Sequence, residues 1–226
     1  MLTVDGLTKK YGSAGVDHIS FSAQEGTVTG IVGPNGVGKT TLLQCVAGIL
    51  ELDAGRVLWN EQPVIYPAGE IFGYMPEFPA VPRFLTPRQT ILYMLQMKGL
   101  PAGNEKVEAL LETFQLSGFA EKKNKALSQG MLKRVTMCLA FLGEPPVLLL
   151  DEPTNGLDTA GLLMLKDRIR EAQSRGAVVL VSSHVLDFLS SINTQTMFLN
   201  GSECRIVNVE SASSLEEQYR EFFGLR

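Results

Sequence analysis

One stretch of this chain combines glycines, a lysine and hydroxyl residues at a spacing suited to binding phosphate. The pattern G-x-x-x-x-G-K-[ST] runs from Gly33 to Thr40. In such a loop, backbone amides surround the phosphates, the lysine reaches the β- and γ-oxygens, and the final hydroxyl ligates Mg²⁺. The predicted phosphate-binding residues are Gly33, Pro34, Asn35, Gly36, Val37, Gly38, Lys39, Thr40 and Thr41. Of these, Lys39 is also a predicted catalytic residue and Thr40 a predicted metal ligand.

Two acidic residues and a histidine follow apolar runs later in the chain. Asp151 and Glu152 come directly after Val147–Leu150, and His184 comes shortly after Ala177–Val181. Unbroken apolar runs of this length are typical of strands buried on both faces, whose carboxyl ends form the active edge of a parallel sheet. Asp151 is expected to hold Mg²⁺ through water, and Glu152 to act as the general base on the attacking water. His184 is expected to sense phosphate at the same edge.

The elements around these residues indicate a parallel α/β sheet. The strand Val28–Val32, the glycine-rich loop and a helix over Thr40–Leu50 follow in order, which places a helix N-terminus under the phosphates. Strands and helices then alternate, as they do around a parallel sheet. Asn200-Gly201 predicts a two-residue hairpin turn before the strand Cys204–Val209.

The middle of the chain is predicted to be helical and follows a proline-rich linker. Thr86 supplies the N-cap of a capping box for a helix that reaches Lys98. Asn104 is expected to cap a second helix, which Gly118 ends. A third helix is predicted over Ser128–Leu142, before two prolines break it.

Composition limits the class of function. The 226 residues carry 45% hydrophobic side chains and a net charge of −4, which disfavours a non-specific nucleic-acid binder. We find no apolar run near the roughly 18 residues of a membrane span and no secretory signal, so we expect a cytosolic chain. The spacing of Cys45, Cys138 and Cys204 favours neither a disulfide framework nor a zinc site.

These motifs together resemble the nucleotide-binding subunits of ABC transporters, over essentially residues 1–209. The segment specific to that family is Leu127–Met131, which opens the third predicted helix. Further segments similar to family motifs are Lys9–Gly12, Tyr74–Glu77, Thr154–Asp158 and Ser182–His184. Gln129 and Met131 replace the third and fifth residues of the common Leu-Ser-Gly-Gly-Gln signature, and Glu77 stands where the family usually has glutamine.

The resemblance implies a fold and further site residues. The fold is a P-loop, RecA-like parallel-sheet core with an N-terminal antiparallel β subdomain and an inserted α-helical subdomain. Residues 1–77 and 147–226 would form the β subdomain and ATP-binding core, and residues 78–146 the helical subdomain that carries the signature. The residues implied to contact nucleotide or metal are Tyr11 on adenine, Ser128 and Gly130 on the γ-phosphate, Asp158 in the D-loop, and Glu77 in catalysis and as an Mg²⁺ ligand.

The resemblance also implies a mechanism and partners. Two subunits, identical or different, would bind two ATP molecules head to tail, and hydrolysis would open the dimer and drive a membrane permease from the cytoplasmic face. An alternative is a soluble ABC-type ATPase that acts as an assembly factor without transport. A second alternative, a module that closes without turnover, is disfavoured by Glu152 and His184.

Two apolar segments keep two interpretations each. Phe78, Val81 and Phe84 in the linker either receive the permease or pack beneath the linker. Phe222 and Phe223, in a predicted terminal helix over Leu215–Arg226, either pack on the core or form a contact surface.

Overall fold

The computed structural model describes residues 1–192, 194–208 and 212–225, which form two sheets and surrounding helices. The strands are β1 (Leu2–Tyr11), β2 (Ala14–Ala23), β3 (Val28–Val32), β4 (Ala54–Trp59), β5 (Gln62–Pro63), β6 (Phe72–Met75), β7 (Val147–Asp151), β8 (Val178–Ser182), β9 (Gln195–Leu199) and β10 (Cys204–Asn208). The helices are α1 (Lys39–Val46), α2 (Pro87–Met97), α3 (Asn104–Thr113), α4 (Gln129–Ala140), α5 (Thr159–Ser174), α6 (Leu186–Ser190) and α7 (Ala212–Phe223), with short 3-10 helices at Ser117–Phe119 and Asn124–Ala126.

The central sheet has six strands in the order β10-β9-β3-β8-β7-β6. All neighbours are parallel except β10, which pairs antiparallel with β9. Successive side chains of a strand point to opposite faces, so Leu148 and Leu150 join one buried cluster while Val147 and Leu149 join the other. The sheet is therefore covered on both faces, as the apolar runs predict.

The N-terminal strands form a separate antiparallel sheet in the order β2-β1-β4-β5. Its apolar face packs with α1 against one face of the central sheet in a single buried cluster. The predicted fold class, a parallel core with an antiparallel β subdomain and a helical insert, is confirmed.

The helical insert begins as predicted. The Thr86 hydroxyl accepts a hydrogen bond from the Gln89 amide at 3.2 Å, and the Gln89 side chain accepts one from the Thr86 amide at 3.0 Å. The end of α4 then packs closely on β6, where a Cβ on Gly73 would lie 2.0 Å from the Ala140 carbonyl oxygen. Only a glycine permits this close contact between β6 and α4, so the helical insert packs directly against the edge of the sheet.

Three helix boundaries differ from the predictions. The helix after the phosphate loop ends at Val46 rather than Leu50, because the chain turns at Gly48, where φ is +71°. Asn104 is the first residue of α3 and does not cap it with its side chain; the N-cap is Gly103. That helix ends at Thr113, before Gln115 takes a left-handed φ of +54°, so Gly118 lies instead in a 3-10 helix.

The end of the third predicted helix of the insert and the position of the hairpin turn also differ from the predictions. Helix α4 ends at Ala140, two residues before the predicted Leu142. The hairpin is present, but its turn is Gly201-Ser202, because the Asn200 amide bonds the Glu203 carbonyl at 3.0 Å. The Asn200 side chain accepts a hydrogen bond from the Glu203 amide at 2.8 Å, so Asn200 flanks the turn and is not one of its two central residues. Val209 of the predicted strand lies outside the described residues.

The predicted terminal helix is present and packs on the core. The Phe198 ring lies 5.6 Å from that of Phe222 and 6.4 Å from that of Phe223, centroid to centroid. Of the two interpretations, packing on the core is therefore the one observed, and Arg226 lies outside the described residues.

The three cysteines, Cys45, Cys138 and Cys204, are free thiols in the described part of the chain. Among the described helices, none has the length and apolar character to cross a membrane.

Candidate nucleotide-binding site

A cavity of about 580 Å³ opens at the carboxyl edge of the central sheet. Strands β3, β8 and β7 are adjacent there, so the loops that follow them converge. The cavity is lined by Asn35, Gly36, Gly38, Lys39, Thr40, Thr41, Glu77, Glu152, Asn155 and His184. The phosphate loop, both predicted catalytic residues after the sheet strands, and Glu77 thus share one cavity.

The phosphate loop depends on glycine at one position above all. Gly38 has φ +105°, and a Cβ there would lie 2.8 Å from the Gly15 carbonyl oxygen of β2. The Lys39 ammonium is buried and donates to the carbonyl oxygens of Gly33 at 2.8 Å and Pro34 at 3.3 Å. The loop then enters α1, whose first amides have no partner within the helix and suit an anion. Gly33, Pro34 and Val37 belong to the loop without lining the cavity wall.

Asp151 is built to meet a cation. It is 1% exposed, and its Oδ1 accepts a hydrogen bond from the Ser182 hydroxyl at 2.7 Å. Within the described part of the chain, its Oδ2 is a buried oxygen without a hydrogen-bond donor. A buried anionic oxygen without a donor is costly unless a cation or water meets it, and oxygen ligands suit Mg²⁺. The free carboxylate oxygen of Asp151 therefore suits a magnesium ion.

Glu152 is constrained through both its backbone and its side chain. Its backbone has φ +42°, a left-handed value that a glutamate rarely adopts, and its amide donates to the Ser182 hydroxyl at 2.9 Å. Its Oε2 lies 2.9 Å from His184 Nδ1. The glutamate side chain is 10% exposed and the histidine 58% exposed, so the pair spans from the wall of the cavity to its opening.

Glu77 reaches the cavity from the end of β6. Its carboxylate accepts a hydrogen bond of 3.4 Å from the Asn155 side chain. Asn155 lies in the segment resembling the D-loop, but no sequence motif gives this side chain a role. The loop after β7 and the loop after β6 thus meet through this pair.

Lys133 is a second residue beside the cavity to which no sequence motif gives a role. It lies on α4, is 1% exposed, and donates from Nζ to the carbonyl oxygens of Glu77 at 2.6 Å, Glu152 at 3.2 Å and Pro76 at 3.3 Å. Burial lowers the pKa of Lys133 to about 8, against the opposing effect of the neighbouring carboxylates. Lys133 lies off the helix face that carries Met131, Leu132, Val135 and Leu139, so hydrophobic periodicity indicates a surface lysine.

Besides Gly33, Pro34 and Val37, five predicted site residues of the described chain do not line this cavity: Asp151, which is buried behind it, and Tyr11, Ser128, Gly130 and Asp158. Tyr11 is 53% exposed at the end of β1. Ser128 caps α4 by accepting a hydrogen bond from the Met131 amide at 3.3 Å. The Asp158 carboxylate caps α5 through the Gly161 amide at 2.8 Å and pairs with Arg134 at 2.8 Å. The hydrogen bond from the Gly161 amide, and then the hydrogen bond from the Arg134 guanidinium, lower the pKa of Asp158.

Comparison with known proteins identifies the family. The model of the ABC transporter family matches residues 16–155. The chain belongs to the ABC transporter family. The segment matched includes the phosphate loop, the helical insert and both carboxylates after β7, and the predicted family is confirmed.

Related sequences agree with this assignment. The uncharacterized ABC transporter ATP-binding protein YhaQ of Bacillus subtilis (strain 168) is 32% identical over 199 residues, which cover 85% of this chain and 65% of the relative. The Nod factor export ATP-binding protein I of Burkholderia pseudomallei (strain 1710b) is 36% identical over 177 residues, or 76% of this chain and 58% of the relative. The chain thus spans about two thirds or less of the length of these relatives.

Solved structures share the fold. An ATP-binding subunit of an ABC transporter superposes with a TM-score of 0.84 at 27% identity, covering 100% of this chain and 94% of that chain. A dimeric ATP-binding cassette bound to ADP and Pi, in a post-hydrolysis state, has a TM-score of 0.81 at 22% identity and covers 93% of this chain and 100% of its own. The latter shows the fold alone.

Proposed function

We propose that this chain is the ATP-binding subunit of an ABC transporter and that it hydrolyses ATP in a head-to-tail dimer. The observation that carries the proposal is the shared cavity, in which the Lys39 loop faces the Glu152 and His184 pair. The names of the related ATP-binding proteins support it.

The cavity residues take distinct parts in the proposed reaction. The loop amides and Lys39 bind the triphosphate, with Lys39 exchanging its carbonyl partners for phosphate oxygens. Thr40, Asp151 and Glu77 would hold Mg²⁺, with Asp151 acting through a water molecule. The ion, when bound, neutralises charge on the β- and γ-oxygens. Glu152 accepts the proton of the attacking water, and His184 orients that carboxylate through Nδ1. The second ring nitrogen of His184 would contact the γ-phosphate.

The position of the signature supports a dimer. Ser128 and Gly130 lie away from the cavity of their own chain, at the amino end of α4. Free helix amides there suit an anion, so this end would meet the γ-phosphate bound to a second, identical or different, subunit. Tyr11 would stack on adenine, and Asp158 would lie at the subunit boundary.

The linker supports a permease as the partner. Phe78 and Phe84 are 76% and 72% exposed, whereas Val81 is buried. Helix α2 adds Tyr93 and Met97, exposed one turn apart. Two exposed aromatic rings in a proline-rich linker favour docking over packing beneath it. We therefore place the chain at the cytoplasmic face of the membrane, with no nucleic acid as partner.

Phosphate release by the purified chain tests the proposed activity. Wild type should release phosphate from Mg-ATP, and Lys39→Ala should not, because the triphosphate loses its cation. Lys122→Ala, an exposed lysine of the insert, is the matched control and should hydrolyse like wild type. Equal rates in all three proteins would contradict the proposal, and co-purification with only soluble partners would favour an assembly factor instead.

A further inference from the structure

The buried ammonium of Lys133 joins three segments that belong to different parts of the molecule. The residue lies on α4, the helix that begins at the signature residues. Its carbonyl partners are Pro76 and Glu77 in the linker after β6, and Glu152 after β7. An ammonium group can donate three hydrogen bonds, and here three carbonyl oxygens accept them.

The contact with Glu152 acts on a strained residue. A left-handed φ of +42° persists in a glutamate only where its surroundings impose it. The Glu152 amide is bonded to Ser182 and its carbonyl to Lys133, so both sides of this backbone unit are fixed. The orientation of the peptide sets where the carboxylate points, and therefore where it meets His184.

Lys133 also contacts the linker at Glu77, the second acidic residue that lines the cavity. Lys133 holds the Glu77 carbonyl at 2.6 Å, the shortest of its three bonds. The Glu77 side chain lines the cavity and accepts from Asn155. One side chain of the helical insert thus holds the backbone at both acidic residues, Glu77 and Glu152.

We propose that Lys133 is a positioning residue for hydrolysis, which holds the backbone of Glu152 and Glu77 in a fixed position relative to α4. The inference rests on the proposed ATPase activity. Because Lys133 belongs to α4, the geometry of the general base depends on the position of that helix.

Steady-state kinetics of Lys133→Met test this role. The methionine fills the same space without donors, so kcat should fall by about 10- to 100-fold, as expected for a misplaced catalytic group, while KM for ATP changes less than about 2-fold. Lys133→Gln, which restores donors, should recover most of the lost kcat. Val135→Ala, fully buried on the same helix, is the control for lost packing and should keep the kcat of wild type at 25 °C.

Each outcome separates this role from a structural one. Equal losses of kcat in Lys133→Met and Val135→Ala, or a change confined to KM, would overturn the proposal. A wild type that does not hydrolyse ATP would instead contradict the proposed function. The crystal structure of Lys133→Met then still tests the positioning role: Glu152 should leave the left-handed region and separate from His184, and an unchanged Glu152 would overturn the inference.

Discussion

The Ser182 hydroxyl serves both acidic residues at the end of β7. It donates to Asp151 Oδ1 and accepts from the Glu152 amide, and it is fully buried. The proposed metal ligand and the proposed general base are therefore oriented by one atom from the neighbouring strand. Sequence alone places this serine beside His184 without indicating that it bonds to both acids.

Replacing this serine should damage stability and turnover together. In Ser182→Ala, Asp151 keeps a buried oxygen that has lost its donor, so the free energy of unfolding should fall by about 1–3 kcal/mol and kcat should drop. Urea denaturation and phosphate release measure the two effects. Thr29→Val removes another fully buried hydroxyl, which accepts from Gln195 on the neighbouring strand. That control should lose stability but keep kcat, and a Ser182→Ala protein with full kcat would contradict this reading.

Residues that work through local patterns were predictable, and those that work through distant contacts were not. The phosphate loop is a continuous motif, and Asp151 and Glu152 follow one apolar run. Lys133 acquires its role from carbonyls in two other segments, so no spacing along α4 could reveal it. The parts that Tyr11, Ser128, Gly130 and Asp158 take in nucleotide binding remain predictions, since a single chain does not bring them to the cavity.

At the scale of elements, a side-chain cap marks the start of α2, α4 and α5, whereas α1 and α3 begin without one. The complete capping box at Thr86 was readable because all of its parts lie within four residues. Asn104 has the right residue type, but the chain enters α3 one residue earlier, at Gly103. Helix ends were less predictable, since left-handed turns at Gly48 and Gln115 ended α1 and α3 before the apolar pattern did.

The capping box gives a stability prediction for the insert. Thr86→Ala removes the acceptor for the Gln89 amide at the buried start of α2, which should lower the free energy of unfolding by about 1 kcal/mol. Thr86→Ser keeps the hydroxyl and should stay within about half of that loss. Urea denaturation measures both variants, and equal losses in the two would show that the methyl group rather than the cap stabilises this helix.

At the scale of the whole molecule, Glu77 connects the cavity to the exposed part of the linker. The sheet edge presents the phosphate loop, while Phe78 and Phe84 are exposed from the linker that follows Glu77. A partner that docks on the linker would therefore act directly on the segment that holds Glu77 and, through Lys133, on Glu152. The overall architecture was predictable because strand and helix patterns alternate clearly, whereas the domain boundary at residues 77–78 stays a prediction.

The docking surface gives a prediction about coupling. Phe84→Ser should leave the ATPase rate of the isolated chain unchanged, because the ring does not line the cavity, and should abolish permease-dependent transport. Ile206→Ser, which changes an exposed side chain on β10, is the control and should preserve both. Transport assays in reconstituted vesicles measure the effect, and normal transport by Phe84→Ser would remove this residue from the docking surface.

The most direct test of the whole account is the mass and ATPase rate of wild type and Glu152→Gln, each with and without Mg-ATP. The glutamine keeps the shape of the side chain but cannot accept the proton from water. We expect wild type to hydrolyse ATP, and Glu152→Gln to bind ATP, form a stable dimer only in its presence and lose turnover. A Glu152→Gln protein that hydrolyses ATP normally, or that stays monomeric with ATP bound, would contradict the account.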